Sequence, residues 1–285
     1  MAMVINTNMG SLNAVRMLDS TSKEQSTSME RLTSGLRINR AADDAAGLAV
    51  AEKMTTQIRG TDQAIRNASD GISMVQTMDG AVEEIVNMLQ RMRELGVQAL
   101  NGNYTADNRT QMDTEFDQLK LEIDRVAQTT TFNDQKILNA SASSNSLAQQ
   151  FHVGWDTGNE NKISVSALNF GVSALSGGGG FVLSNLSLAN SVSAASVAIS
   201  EIDGVLSTIN LQRASWGAVQ NRLESTVSNL SNVNENMNAS RSRVIDADFA
   251  KESANLARTQ VLQQAGMSML SQANQSSQNV LQLLQ

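Results

Sequence analysis

The sequence predicts a mainly α protein: a bundle of long helices with coiled-coil-like seams and one small β-hairpin region set among them. Three observations lead there. Proline is absent from all 285 residues, so nothing forbids long uninterrupted helices. Apolar residues recur in steps of three and four over long stretches, which is the period of a narrow helical seam. Only 3% of the chain is aromatic while 41% is hydrophobic, much of it alanine, and this suits thin, elongated helical packing better than a thick globule.

The elements follow in order. Met1 to Val15 carries no charged side chain, and Asn6, Asn8 and Asn13 interrupt its apolar residues, which argues against a bilayer span. From Ile65 the seam runs through Ala68, Ile72, Val75, Met78, Val82, Ile85, Leu89, Met92 and Leu95 to Ala99, one long helix. Asn101-Gly102-Asn103 stops it, and Thr105 is placed to cap the next helix. That helix reads Met112, Phe116, Leu119, Ile123 and Val126, and is expected to lie back against its predecessor.

A polar connector, Ser141 to Ser146, leads to a different pattern. Phe151, Val153 and Trp155 alternate with His152 and Gly154, a turn-like Asp156-Thr157-Gly158-Asn159 follows, and Ile163, Val165 and Ala167 alternate with serines. This reads as a small hairpin. Gly177 to Gly180 reads as a flexible surface loop, since no Gly-Lys-Ser/Thr ending follows to make a phosphate cradle. Ala195, Ile199, Ile202, Leu206, Ile209, Trp216, Val219, Leu223, Val227, Leu230, Val233 and Met237 then mark a third long helix, its seam shifted around Arg213. Three such seams imply a three- or four-stranded bundle with shallow crossing angles.

The last segment, Thr259 to Gln285, is again without charge. Glutamines and asparagines separate Val261, Leu262, Met267, Met269, Leu270, Val280, Leu281, Leu283 and Leu284. Ordering a residue costs about 1 to 2 kcal/mol, and an isolated helix of this length is marginal in water. Both ends are therefore expected to take shape against neighbouring protein.

Several kinds of chemistry are argued against. A net charge of −7 does not suit nucleic acid, whose phosphates need clustered Lys and Arg. The absence of cysteine excludes disulfides, thiol catalysis and zinc-thiolate sites. His152 is the only histidine, so one chain cannot assemble a histidine relay or a multi-histidine metal site, and it reads as a surface residue on a strand. Asp43-Asp44 and Glu83-Glu84 are adjacent pairs whose members diverge on a helix, and they read as solvated faces or inter-subunit pairs. No catalytic constellation emerges, so neither an enzyme nor a cofactor is expected. The first residues lack the basic region, apolar core and cleavage site of a signal peptide, so export by that route is not expected.

The stretch LTSGLRI at Leu32 to Ile38 followed by NRAADDAAGLAV at Asn39 to Val50, with MVINTN at Met3 to Asn8, stands at one end. At the other stand SRVIDADFAKE from Ser242 to Glu252, LQQAG from Leu262 to Gly266 and ANQSSQNVLQLL from Ala273 to Leu284. Together these strings closely resemble bacterial flagellin over roughly residues 1–138 and 194–285. Two departures from the family's habit are visible: serine where proline is common, at Ser276 or Ser277, and Gln285, where arginine is frequent. The middle is short, as in a minimal flagellin without outer variable domains.

The resemblance implies an architecture and a role. The two termini would pair as an inner core domain, residues 1–42 and 243–285, lining a filament channel, with residues 43–242 as an outer core domain and the hairpin at about 140–190. An uncharged polar face would suit a channel crossed by unfolded subunits. Ile5, Leu12, Val15, Leu18, Leu256, Leu262, Leu270, Val280, Leu281 and Leu284 would carry assembly. Gln90, Arg91, Leu95 and Glu115 match a patch that an animal Toll-like receptor reads in some flagellins, although Leu119 stands where those often have arginine; an assembly role is the favoured reading. Implied partners are further copies of the chain, hook-associated junction and cap proteins and an export chaperone, with type III export to an extracellular flagellum. The rivals are the hook-filament junction protein of the same superfamily, which SRVIDADFAKE and LQQAG disfavour, and a helical signalling module, which would have a charged tip and no neutral tails.

Overall fold

The computed structural model describes residues 8–139, 149–166, 168–172, 174–175, 183–188 and 192–282, with side chains in the last helix described as far as residue 275. The polar connector Ser141 to Ser146 and the glycine run Gly177 to Gly180 lie outside the described residues. The helices are α1 (Met9–Ser34), α2 (Ala45–Ala99), α3 (Ala106–Thr129), α4 (Val192–Ile245) and α5 (Phe249–Gln282). The chain divides into two compact units: Met1–Ile58 with Glu235–Gln285, and Arg59–Asn234. The long helices α2 and α4 contribute to both.

In the unit Arg59–Asn234, α2, α3 and α4 share one core. Val82, Ile85, Leu89, Met92, Phe116, Ile123, Ile202, Ile209 and Leu223 are buried together, the seam positions the periodicity marks. The stop after Ala99 and the cap at Thr105 are where expected, Thr105 accepting from the Asn108 backbone N–H. The seam shift at Arg213 is not a break in α4. Its guanidinium forks onto Asp79 of α2, Nε to Oδ1 at 2.6 Å and Nη2 to Oδ2 at 3.3 Å, pinning one helix to the other. One stretch of α4 is long and apolar enough by composition to cross a bilayer, but Ala195, Ala198, Ile202, Val205 and Ile209 are spent on the bundle core.

Two hairpins pack on the helices. β1 (Thr131–Phe132) and β2 (Gln135–Lys136) pair antiparallel around Asn133 and Asp134, whose φ of 49° and 62° are left-handed. β3 (Gln149–His152) pairs antiparallel with β4 (Lys162–Val165), Phe151 opposite Ile163, which is the hairpin the alternation predicts. It ends sooner than the alternation suggests: Val153 still donates to Asn161 O at 2.8 Å, but Trp155 lies beyond the strand and is exposed. His152 is half-buried rather than a free surface residue, and its carbonyl accepts from Asn67 Nδ2 at 2.9 Å. Trp216 anchors the strand's exit, donating from Nε1 to Ser166 O at 2.9 Å with its ring 5.9 Å from that of Phe170.

Candidate assembly surfaces

The unit of the two chain ends is built on different lines. The α1 and α5 helices pair antiparallel, as their contacts show: Ser28 meets Glu252, Leu18 meets Gly266, and Asn8 meets Ala273. The less exposed positions along α1 include Ser11, Ala14, Leu18, Thr21, Gln25, Ser28 and Leu32, and along α5 Glu252, Leu256, Thr259, Gln263, Gly266, Leu270 and Ala273. Both sets step by three and four, a heptad seam. Its residues are mostly small or polar. A Cβ on Gly266 would sit 3.1 Å from Leu18 Cγ, so glycine sets how closely the helices approach.

Polar contacts fix the register. Glu252, 6% exposed, accepts from Ser28 Oγ and from Arg31 Nη1, each at 3.2 Å. At the far end Asn8 caps α1 through the Ser11 N–H and donates from Nδ2 to Ala273 O at 3.0 Å. These two points, spaced along the seam, leave little freedom to slide.

The quoted motifs are the turn chemistry that feeds this pair. Gly35 ends α1 at φ 72°, a left-handed cap that a side chain would strain. The chain then bridges Leu36 to Asp246, with Arg37 N donating to Ile245 O at 2.6 Å and Ala247 N to Gly35 O at 2.9 Å. Asp43 accepts from the backbone N–H of Asn39 and of Arg40, each at 3.0 Å, and these bonds hold its carboxyl below the usual carboxylate range. Asp44 caps α2 through the Gly47 N–H at 2.8 Å, and Asp248 opens α5 through the Ala250 N–H at 2.9 Å. The Asp43 and Asp44 carboxylates therefore accept from the chain's own backbone; Asp43 is exposed, as a solvated face requires, and Asp44 is half-buried.

Leu18, Leu32, Leu256 and Leu270 lie on this seam, but other large apolar side chains of the unit are exposed. Leu12 is 57% exposed, Val15 49%, Met17 69%, Val261 65%, Leu262 46%, Met267 62% and Met269 65%. The main apolar core, by contrast, lies wholly within residues 68–223. Of the assembly residues expected from sequence, Leu12, Val15 and Leu262 are exposed, while Leu18, Leu256 and Leu270 are half-buried along the seam. Ile5 and Leu284 lie outside the described residues; Val280 and Leu281 belong to the last turns of α5, their side chains not described. Sequence reasoning missed Ser28, Arg31 and Glu252, which only the pairing brings together.

On the other unit, Arg91 of α2 donates from Nε to Glu115 of α3 at 2.9 Å and from Nη1 to Glu94 at 3.1 Å. The two carboxylates raise the guanidinium's pKa, Glu115 more than Glu94. Gln90 is exposed beside them. Leu95 is 2% exposed and sits in the core, so it braces this surface from beneath rather than presenting one.

A long-helix bundle with its own core, joined in one chain to a helix pair that turns its apolar side chains outward, defines a structural subunit made for assembly. Residues 5–143 match the bacterial flagellin N-terminal helical region, and residues 199–284 the bacterial flagellin C-terminal helical region. The chain is 43% identical over 287 residues to a flagellin of Halalkalibacterium halodurans, covering 99% of this chain and 100% of that protein. It is 39% identical over 285 residues to a flagellar filament 30.7 kDa core protein of Treponema maltophilum, covering 99% of this chain and 100% of that protein. The structure of a putative flagellar hook-associated protein from Vibrio parahaemolyticus shares the fold at a TM-score of 0.59 and 15% identity, covering 72% of this chain and 100% of that one. The chain belongs to the bacterial flagellin family.

Proposed function

We propose that this chain is the structural subunit of a bacterial flagellar filament and that its paired ends are the elements joining copy to copy. Flagellins are structural proteins rather than enzymes, and they polymerise with themselves into the flagellar filament, which lies outside the cell. The observation that carries the mechanism is the outward set of apolar side chains on α1 and α5, from Leu12 to Met269. A helix pair whose seam is mostly Ser, Thr, Gln, Ala and Gly, with Leu18, Leu32, Leu256 and Leu270 only half-buried in it, buries limited apolar surface of its own. Most of its stabilisation must come from covering Leu12, Val15, Val261 and Leu262 with other copies, so the ends gain order as they join.

In this reading residues 1–42 and 243–285 form the inner layer and 43–242 the outer one; the compact unit of the ends is somewhat larger, reaching Ile58 and starting again at Glu235. Contacts that repeat head to tail with a rise give an open helix instead of a closed ring. The exposed ion-paired surface of Gln90, Arg91 and Glu115 serves contacts between neighbouring subunits, and recognition by a Toll-like receptor would be incidental to it. Hook-associated junction and cap proteins, an export chaperone and type III export complete the setting that family membership supports.

Removing Val280 to Gln285 tests the role of the ends. The truncated chain should stay helical by circular dichroism and fail to polymerise. Normal filaments from it would refute the reading.

A further inference from the structure

Among the described methionines, Met54, Met88 and Met237 are half-buried and the others lie at two extremes. Met74, Met78, Met92 and Met112 are sealed in the bundle core, none more than 9% exposed. Met9, Met17, Met29, Met267 and Met269 stand on the paired end helices at 62%, 69%, 52%, 62% and 65% exposure. The second group is exposed on the same two helices as Leu12, Val15, Val261 and Leu262. There is no cysteine, so thioethers are the softest nucleophiles the chain offers an oxidant.

We propose that Met17, Met267 and Met269, with Met9 and Met29, form an oxidation-sensitive site that controls whether a free chain can join a polymer. The reagent class is a hydroperoxide, with hydrogen peroxide as its simplest member. A sulfur lone pair attacks one peroxide oxygen, an S–O bond forms as the O–O bond breaks, and the thioether becomes a sulfoxide by loss of two electrons. The other peroxide oxygen takes up a proton as the first gives one up, and leaves as water. The product is a strongly polar acceptor in place of a flexible apolar side chain. Buried between copies without a donor, it weakens the contact it occupies. The site is open on the unassembled chain and covered once other copies pack on it, so oxidation acts before assembly and spares finished polymer. This inference rests on the filament reading above.

The test uses the full-length purified chain and hydrogen peroxide alone. Peptide mass mapping should find the five end-helix methionines oxidised at least about tenfold faster than Met74, Met78, Met92 and Met112 in the dilute chain. The oxidised chain should keep its helical circular dichroism, raise the critical concentration for polymerisation about tenfold or more, and recover on treatment with methionine sulfoxide reductases. Polymer formed first and then oxidised should resist. A Met17→Leu, Met267→Leu, Met269→Leu variant should polymerise and tolerate peroxide better than the parent. Undiminished polymerisation with all five oxidised, or equal oxidation rates in polymer and free chain, would overturn the inference while leaving the filament reading intact. Failure of the untreated chain to polymerise at all would instead overturn the filament reading and this inference with it.

Discussion

Replacing Glu252 with alanine removes the one buried carboxylate that ties α5 to α1. Glu252 is 6% exposed and accepts from Ser28 Oγ and Arg31 Nη1, each at 3.2 Å. A hydrogen bond to a charged group contributes about 1.5 to 3 kcal/mol, and breaking a buried ion pair by deleting one partner costs about 3 to 5 kcal/mol. The Arg31 side chain is 29% exposed and can turn partly to water, which places the expected loss at the lower end, about 3 kcal/mol. Glu252 and its partners lie in the unit of the chain ends, so the loss should fall on assembly. At about 1.4 kcal/mol per factor of ten, Glu252→Ala should raise the critical concentration for polymerisation roughly a hundredfold. Sedimentation of polymer at graded total concentrations reads it. Thermal unfolding followed through the buried Trp216, which reports the other unit, should be unchanged. Glu252→Gln, which keeps a carbonyl acceptor, should fall between. A critical concentration within about threefold of the parent, or an equal loss of bundle stability, would refute the reasoning.

Lysine at Leu12 or Leu262, both exposed in the single chain, should leave circular dichroism unchanged and raise the critical concentration at least about tenfold, because the charge must be desolvated between copies. Phe116→Ala, at a fully buried position in the bundle core, should cost about 3 to 5 kcal/mol in chemical denaturation of that unit. Backbone N–H donation from Asn39 and Arg40 lowers the Asp43 carboxyl from its ordinary 3.8, so its stabilisation is complete above pH 3.8 and is lost as pH falls through the lower folded value. A carbon-detected carboxyl titration should place the Asp43 midpoint below 3.8, and Asp43→Asn should remove that component of the acid response; a midpoint at or above 3.8 would contradict the loop geometry.

The bundle was legible because its information is local and periodic. Val82, Ile85, Leu89, Met92 and Leu95 announce α2, and Thr105 announces the start of α3, without knowledge of any distant residue. The seam between α1 and α5 hides from the same reasoning. Its positions hold Ser11, Ala14, Thr21 and Ser28 against Thr259, Gly266 and Ala273 with only Leu18, Leu32, Leu256 and Leu270 among them, while Leu12, Val15, Val261 and Leu262 stand exposed and blur the hydrophobic period. An apolar count along either end therefore mixes seam leucines with exposed residues and does not single out the surface that meets the chain itself. The β1–β2 hairpin escaped because two-residue strands carry no alternation; its signal was Asn133-Asp134, residue types that tolerate the left-handed region. The Asp43-Asp44 pair, read as a solvated face, adds what the residue types alone do not announce: both carboxylates turn back onto their own backbone.

Amide hydrogen exchange, measured on the dilute chain and on polymer under the same conditions, tests the central claim most directly. If the ends gain their order from other copies, amides of α1 and α5 should exchange readily in the dilute chain and slow by about a hundredfold or more in polymer, while α2 amides around Val82 to Met92 stay protected in both. Equal, strong protection of α1 and α5 in the dilute chain would contradict it.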